Sequence, residues 1–330
     1  MVGVAVVGCG RIGRVHARNA AGNSRASLVM VFDVAGTAAE QTATELGVKA
    51  ARSLEEVLSD DSVDAVLVAT PTDTHVPLIT AAVKAGKAVL CEKPVDLDPQ
   101  RARECWSGIA GGNPRVMVGF NRRFDPSFKS LRERLEGGEV GPLELAIITS
   151  RDPAPPPAAY IKSSGGLMRD MTIHDFDMAR YLAGDIAQVH AFAANLVDPS
   201  TAALGDVDTC VVSLRAASGA LIQINNSRRC VYGYDQRIEA FGAGGMLQAG
   251  NRYPTSVESW GAARTGARDG VLNFFIERYR EAYEAELDAF ISCVEEGRAM
   301  SPDFSDGVEA LLLAEAAERS FRTGRVVDLG

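Results

Sequence analysis

Apolar residues in the first third of the chain form short continuous runs, and longer amphipathic stretches separate them. The apolar runs predict strands at residues 2–7, 28–32, 63–69, 88–91 and 116–119. The intervening stretches predict helices at residues 12–21, 37–46, 53–58, 75–85 and from 99 onward. Strands that alternate with helices are joined by right-handed crossovers, so the pattern predicts a doubly wound parallel sheet of the Rossmann type, an α/β fold.

The pattern changes beyond residue 120, where strands follow one another with few helices between them. Strands are predicted at residues 143–150, 189–196, 210–215, 220–226 and 236–241, and helices at 274–296 and 306–322. This order indicates an α+β domain with a mostly antiparallel sheet. We therefore expect a Rossmann domain at residues 1–120 and an α+β domain at residues 121–330.

Length and charge narrow the class of protein. At 330 residues the chain exceeds the usual size of one hydrophobic core, which agrees with two domains. The net charge of −9, with no cluster of Lys and Arg, argues against a nucleic-acid partner. No apolar run reaches the ~18 residues of a membrane span, and the first residues are strand-like rather than a targeting segment. We expect a cytoplasmic protein with no membrane partner.

A glycine-rich turn follows the first predicted strand, with the spacing Gly8-x-Gly10-x-x-Gly13. In a dinucleotide site the first glycine permits the tight turn, the second lets backbone approach the pyrophosphate, and the third allows helix and strand to pack closely. Arg11 and Ile12 lie at the start of the following helix, whose unpaired N–H groups favour a phosphate. A glycine turn alone can be purely structural, but its place between a strand and a helix favours dinucleotide binding.

Asp33 follows the second strand, twenty residues after Gly13. A carboxylate at this position hydrogen-bonds the adenosine ribose and repels a 2′-phosphate, so NAD is predicted rather than NADP. Arg11 leaves the additional use of NADP open.

Two later strand ends carry further candidate cofactor-binding residues, because ligands bind beside the carboxyl ends of such strands. Thr70 and Pro71 end the third strand, and His75 opens the next helix. Glu92 and Lys93 end the fourth strand. A lysine elsewhere would be a solvated surface residue, but at this position we predict a functional one. His75 is predicted to stabilise the loop near the cofactor rather than to act as a base.

In the second domain, Asp170 and His174 are four residues apart and share one face of a helix. A carboxylate can orient an imidazole, and a histidine of ordinary pKa can take a hydroxyl proton at neutral pH. The alternative is a helix cap with a core histidine. Asp175 and Asp177 also suggest a metal, but no second His or Cys lies at ligand spacing, and no metal is predicted.

These motifs together resemble the Gfo/Idh/MocA family of oxidoreductases, along essentially the whole chain. The segments 150–157, 170–177 and 232–237 are similar to the inositol-oxidising branch of that family. The resemblance implies NAD-dependent oxidation of a secondary ring hydroxyl of a cyclitol, myo-inositol to 2-keto-myo-inositol, with hydride transfer to C4 of the nicotinamide. It also implies an open-faced sheet in the second domain that packs against other subunits of a homotetramer or homodimer.

The resemblance further implies roles for individual residues. His174 would be the general base, Asp170 its partner and a substrate ligand, and Lys93 the cation beside the reacting oxygen. Three residues would hold the other hydroxyls: Arg123, Asp152 and Tyr234. Arg122 could replace Arg123, and Tyr232 could replace Tyr234, because one sequence does not fix the register of either pair.

Two alternatives to myo-inositol oxidation remain open from the sequence. One is the same chemistry on scyllo-inositol, an aldose, an amino sugar or another polyol, because the motifs barely constrain the hydroxyl-binding residues. The other is a dinucleotide-binding regulator without catalysis. Loss of Lys93, Asp170 or His174 would indicate such a regulator, and all three are present.

Overall fold

The computed structural model describes residues 1–329, which form two compact units. The first unit comprises Met1–Asn121 and Ala282–Leu312, and the second comprises Arg122–Glu281 and the residues from Leu313 onward. The sequence placed residues 282–312 in the second domain, whereas here they cluster with the first unit. Hydrogen bonds from the Arg25 guanidinium to Asp288 and Ser292, at 2.8 to 3.1 Å, contribute to this attachment.

The first unit contains a parallel sheet with the spatial order β3-β2-β1-β4-β5-β6. Its strands are β1 (Val2–Val7), β2 (Ala26–Phe32), β3 (Lys49–Ala50), β4 (Ala65–Val68), β5 (Ala88–Glu92) and β6 (Val116–Gly119). Its helices are α1 (Arg11–Gly22), α2 (Gly36–Leu46), α3 (Leu54–Ser59), α4 (His75–Lys84) and α5 (Pro99–Ile109). The strand order reverses between β1 and β4, which is where a doubly wound sheet binds its ligand. The predicted Rossmann fold is confirmed.

The second unit contains a seven-stranded sheet. Its strands are β7 (Leu145–Arg151), β8 (Ile186–Ala194), β9 (Thr209–Ala216), β10 (Leu221–Ser227), β11 (Asp235–Gly242), β12 (Gly245–Ala249) and, later, β15 (Val327–Asp328). Their order is β12-β11-β7-β10-β9-β8-β15, and every neighbouring pair is antiparallel except β7 with β10. A hairpin of β13 (Glu258–Ser259) and β14 (Ala267–Arg268) lies apart from it.

The helices of the second unit lie before, between and after its strands along the chain. They are α6 (Pro126–Glu136), α7 (Ala158–Ser164), α8 (Ile173–Ala183) and α9 (Phe275–Arg278). Two further helices cross the boundary between the units along the chain, α10 (Arg280–Glu296) and α11 (Phe304–Thr323). Within residues 1–329, we find no helix with both the length and the apolarity to cross a membrane.

One face of the seven-stranded sheet is open. Leu145 pairs with Leu221 on one neighbouring strand and with Phe241 on the other, and residues paired directly across strands share a face. Six large apolar side chains on this face are exposed: Leu145, Phe192, Val211, Leu221, Phe241 and Met246. The predicted open-faced, mostly antiparallel sheet is therefore confirmed.

Candidate active site

Each glycine of the loop after β1 has a distinct steric environment. Gly8 has a φ of +100°, and a Cβ there would lie 2.5 Å from the carbonyl oxygen of Ala69. A Cβ at Gly13 would lie 1.8 Å from the carbonyl oxygen of Gly8. A Cβ at Gly10 would meet nothing within 4 Å. The first and third glycines are thus required by the protein itself, whereas Gly10 borders open space that a ligand can approach.

The groups around the loop fit NAD. Gly10 is the residue before α1 and has no side chain with which to cap the helix, so the first-turn N–H groups of Arg11 and Ile12 favour an anion. Asp33 follows β2, and its carboxylate accepts hydrogen bonds from the backbone N–H of Cys9 at 2.7 Å and of Ala35 at 2.8 Å. These bonds fix the carboxylate beside the glycine loop, where an adenosine ribose would bind.

His75 contacts the loops that follow β4 and β5, the two strand ends at which the sequence predicts ligand-binding residues. Its Nδ1 lies 2.8 Å from the carbonyl oxygen of Pro94, and its Nε2 lies 2.9 Å from that of Thr70. The ring is buried, and burial lowers the pKa of His75, although the two carbonyl acceptors oppose part of this effect. His75 therefore supports the loops that carry Thr70, Pro71 and Lys93.

The first unit contains a cluster of buried polar side chains around Glu92, the residue before Lys93. His16 on α1 contacts Glu92 at the end of β5, with Nε2 and Oε1 2.8 Å apart. Glu286 on α10 is fully buried, and neither of its carboxyl oxygens has a hydrogen-bond partner within residues 1–329. Burial, and then the negative charge of Glu92, raise the pKa of Glu286 well above its usual range. The protonated form of Glu286 is therefore favoured in the folded state.

Replacing Glu286 with Gln should stabilise the protein increasingly as the pH rises. The pKa of Glu286 is higher in the folded state than in the unfolded state, so the wild type loses stability as pH rises above the unfolded value of about 4.3. Gln has no proton to lose. The difference in free energy of unfolding should grow by about 1.4 kcal/mol per pH unit until the folded-state pKa is reached.

Urea denaturation of Glu286→Gln and the wild type between about pH 5 and 8 measures this difference. Glu284→Gln is the matched control, because Glu284 lies on the same helix with its side chain exposed. The difference should be nearly independent of pH for the control. The same flat difference for Glu286→Gln would show that the carboxyl is ionised in the folded protein.

In the second unit, a buried arginine joins two of the predicted site residues. Arg228 donates from Nη1 to Asp152 Oδ2 and from Nη2 to Asp170 Oδ2, each at 2.7 Å. Tyr160 donates its hydroxyl to the other oxygen of Asp170 at 2.9 Å. Asp170 lies in a π-helical turn, Met168–Thr172, that leads directly into α8, and such turns are frequent at functional sites. The half-buried His174 is the second residue of α8.

The two candidate arginines have different partners. Arg122 is buried and donates from Nη1 to Asp175 at 2.6 Å and to Ser150 at 2.9 Å. Arg123 instead forms a bidentate pair with Asp177, at 2.6 to 3.1 Å. The positive charge of Arg122 also lowers the pKa of Asp152, although burial is the largest influence and raises it. The charge of Arg122 thus acts on the Asp152 carboxylate, and the guanidinium of Arg123 is paired with Asp177.

The two candidate tyrosines also differ. Tyr232 is exposed, and its hydroxyl donates to Asp235 at 2.6 Å and accepts from Arg151 at 2.8 Å. Tyr234 is buried, and burial raises its pKa well above the usual value. Asp152 also raises the pKa of Tyr234 through its negative charge. Of the two tyrosines, Tyr234 is thus the buried one, and the charge of Asp152 acts on it.

Sequence reasoning missed Arg228 and Tyr160 as members of this group. Neither has a motif around it: Arg228 stands beside a second arginine, and Tyr160 follows a proline-rich segment. The charge of Asp152 and Asp170 does imply a nearby cation if both are buried, but the sequence does not show which Lys or Arg supplies it. Among the described residues 1–329, no group of three or more His, Cys, Asp and Glu side chains is arranged to hold a metal ion.

The glycine loop, Asp33 and the parallel sheet define the first unit as a dinucleotide-binding Rossmann unit. The chain matches the family model of an oxidoreductase family with an NAD-binding Rossmann fold over residues 2–120. It also matches the model of the GFO/IDH/MocA C-terminal domain over residues 128–248. The chain belongs to the GFO/IDH/MocA family of oxidoreductases, and its cofactor is NAD. The predicted family, cofactor and enzyme class, acting on CH–OH groups, are confirmed.

Individual relatives resemble this chain along its whole length. It is 46% identical to the inositol 2-dehydrogenase of Rhizobium meliloti (strain 1021), over 98% of both chains. Its structure resembles that of a myo-inositol dehydrogenase from Corynebacterium glutamicum ATCC 13032, with a TM-score of 0.97, 48% identity and coverage of 100% of this chain and 99% of that one. It also resembles scyllo-inositol dehydrogenase from Lactobacillus casei with bound NAD(H) and scyllo-inositol, with a TM-score of 0.92, 28% identity and 99% coverage of both.

Proposed function

We propose that this chain is an inositol 2-dehydrogenase, which oxidises the C2 hydroxyl of myo-inositol to a ketone with NAD, in the direction of inositol catabolism in the cytoplasm. The observation that supports the substrate class most directly is the full-length similarity to the inositol dehydrogenase of Rhizobium meliloti. The cluster of Asp152, Arg228 and Asp170 supports the same conclusion, because fixed carboxylates are good acceptors for the several hydroxyls of a cyclitol.

Three residues carry the proposed reaction. His174 takes the proton of the C2 hydroxyl, and Asp170 orients the imidazole and accepts a substrate hydroxyl. Lys93 places a positive charge beside the oxygen as negative charge develops on it. Bound NAD supplies the hydride acceptor, C4 of the nicotinamide. The role of the chain is thus to remove the hydroxyl proton and to stabilise the oxygen while the C–H bond is broken.

The remaining hydroxyls of the substrate are assigned to the second unit. We propose Asp152 and Tyr234 as ligands, because Tyr234 is buried and the negative charge of Asp152 helps to raise its pKa, so the two side chains act on one another's surroundings at short range. Of the two arginines, the proposal favours Arg122, whose charge reaches Asp152, whereas Arg123 pairs with Asp177 and stacks over Tyr181 at 5.2 Å. Arg123 would then hold the surrounding structure in place.

A substrate panel tests the proposed function. Initial rates of NADH formation at 340 nm are measured with myo-inositol, scyllo-inositol, glucose, xylose and an amino sugar. We expect the highest kcat/KM with myo-inositol. A preference for scyllo-inositol would move the assignment to that isomer, and activity with sugars alone would remove it. Absence of turnover with every polyol, together with tight NAD binding, would favour the non-catalytic regulator.

We further propose that the open face of the seven-stranded sheet packs against another copy of this chain, in a homodimer or homotetramer. The six exposed apolar side chains on this face support the proposal, because large apolar patches on folded proteins mark interaction surfaces. Light scattering on the purified protein should give a mass of two or four chains of 35.0 kDa. Phe241→Asp should reduce that mass, and a monomeric wild type at micromolar concentration would contradict the proposal.

A further inference from the structure

Arg228 follows β10 and joins two carboxylates that belong to the proposed site. The residue is 6% exposed, and the two terminal nitrogens of its guanidinium each donate one 2.7 Å hydrogen bond, to Asp152 and to Asp170. A guanidinium is planar, and its donors have a fixed angle to one another. The two carboxylates are therefore held at a set separation and orientation by one side chain.

The sheet determines where Arg228 and Asp152 lie. β7 and β10 pair in parallel to their last residues, and the N–H of Asp152 then donates to the carbonyl of Ser227 at 2.9 Å. The N–H of Arg228 donates to the carbonyl of Asp208, also at 2.9 Å. Asp170 comes from a separate element, the turn before α8. Arg228 thus connects the end of the sheet to the helical segment that carries His174.

We propose that Arg228 is a positioning residue for the oxidation, which holds Asp170 in the orientation that supports His174 and holds Asp152 in the orientation that receives substrate hydroxyls. This inference rests on the proposed function. Asp170 is held from both sides, because Tyr160 donates to its second oxygen. Each carboxylate oxygen accepts up to two hydrogen bonds, so these contacts are compatible with further bonds to an imidazole or a hydroxyl.

The charge of Arg228 has a second effect, on ionisation. Burial raises the pKa of Asp152, Arg228 lowers it, and the negative charge of Asp170 raises it again. Without Arg228, two buried carboxylates would face each other with no shared cation, and like charges disfavour the second ionisation. Loss of the positive charge would also make it easier to protonate His174. Both effects move the acidic limb of the activity profile in the same direction, to higher pH.

Other ionisable groups act on this cluster from neighbouring elements. They include Tyr160, Arg122, Tyr234 and Cys210. Burial raises the pKa of Tyr234 well above its usual value and that of Cys210 to about 12, so both remain neutral in the neutral range. Arg122 remains charged throughout: burial lowers its pKa, but Tyr279, Asp175 and Tyr234 together raise it further than burial lowers it. A shift of the acidic limb in the Arg228 variants therefore reports on the two carboxylates and on His174.

The experiment compares Arg228→Met, which removes the charge, with Arg228→Lys, which keeps the charge but cannot span both carboxylates. Arg229→Met is the matched control, because Arg229 is the adjacent arginine and is exposed. For each variant, kcat and KM for myo-inositol are measured from about pH 6 to 10 at saturating NAD, with the Kd for NAD and the Tm.

In Arg228→Met, kcat/KM should fall by ~10²-fold, and the acidic limb should move up by about one pH unit. Arg228→Lys should lose ~10-fold or more in kcat/KM with an acidic limb close to that of the wild type. The Kd for NAD should be unchanged in both variants, and the control should match the wild type throughout.

Three outcomes would overturn the inference. One is wild-type kcat/KM in Arg228→Lys, and another is a lowered Tm in Arg228→Met with an unmoved acidic limb. If Arg228→Met does not fold, Arg228→Lys decides. An acidic limb in Arg228→Lys that moves to higher pH far enough to account for the whole loss of kcat/KM would contradict the positioning role. Failure of the proposed function is a separate result, because it appears as a wild-type enzyme without activity on any cyclitol.

Discussion

His174→Ala should lower turnover of myo-inositol by roughly 10²-fold or more, while NAD binds with nearly unchanged affinity. Without the imidazole, the hydroxyl proton has no positioned acceptor as the C–H bond breaks. The cofactor groups, by contrast, belong to the glycine loop and Asp33 of the other unit. Steady-state kinetics at 340 nm measure turnover, and titration of NAD against protein fluorescence measures its affinity.

His190→Ala is the matched control for this substitution. His190 belongs to the same unit, on β8, and its ring lies edge-on to Phe192 with centroids 4.7 Å apart. Its replacement should leave kcat unchanged. Equal turnover of His174→Ala and the wild type would show that another group takes the proton. Equal losses in both variants would indicate a general effect of histidine removal on the fold.

Substituting Gly13 and Gly10 by alanine, one at a time, should distinguish a glycine that the fold requires from one that NAD binding requires. Gly13→Ala places a Cβ 1.8 Å from the carbonyl oxygen of Gly8, so α1 must move away from β1. We expect a loss of about 3 kcal/mol of stability without cofactor, at the upper end of the usual cost of overpacking. Gly10→Ala places its methyl in open space and should leave the Tm of the cofactor-free protein nearly unchanged.

The same Gly10→Ala variant should bind NAD roughly 10-fold or more weakly, because the methyl lies where backbone approaches the pyrophosphate. Gly22→Ala is the control: it lies at the last residue of α1, also in open space. It should retain NAD affinity and gain slightly in stability, since alanine reduces the entropy of the unfolded chain. Wild-type NAD affinity in Gly10→Ala would place the pyrophosphate elsewhere.

The fold of the first unit was predictable from sequence because its strands are buried on both faces. Such strands are continuous apolar runs, and β1 and β6 begin and end as predicted. β3 was missed, because two residues are too short to give a periodic signal.

In the second unit, α6 was missed, although Asp125 caps it, Pro126 begins it and its apolar residues have helical spacing. That helix could have been found from the sequence.

The site residues that belong to a short sequence motif could be predicted from the sequence. The glycine loop and Asp33 have a fixed spacing along the chain, so sequence alone identifies them. Arg228 could not be found in this way, because its function depends on the parallel pairing of β7 with β10, which places it next to Asp152. The register of the arginines and tyrosines also depends on tertiary contacts, and their assignment to the substrate stays a prediction.

The discontinuity of both units has a consequence for synthesis of the protein. Residues 282–312 of the first unit are translated only after all of residues 122–281, which belong to the second. At about 5–20 residues per second, this delay is on the order of ten seconds or more. During that time the nascent Rossmann sheet lacks α10, whose Tyr283, Leu287 and Phe290 are buried in the finished protein. Until α10 is made, the residues of the first unit that it contacts in the finished protein, such as His16 beside Tyr283, lack that partner.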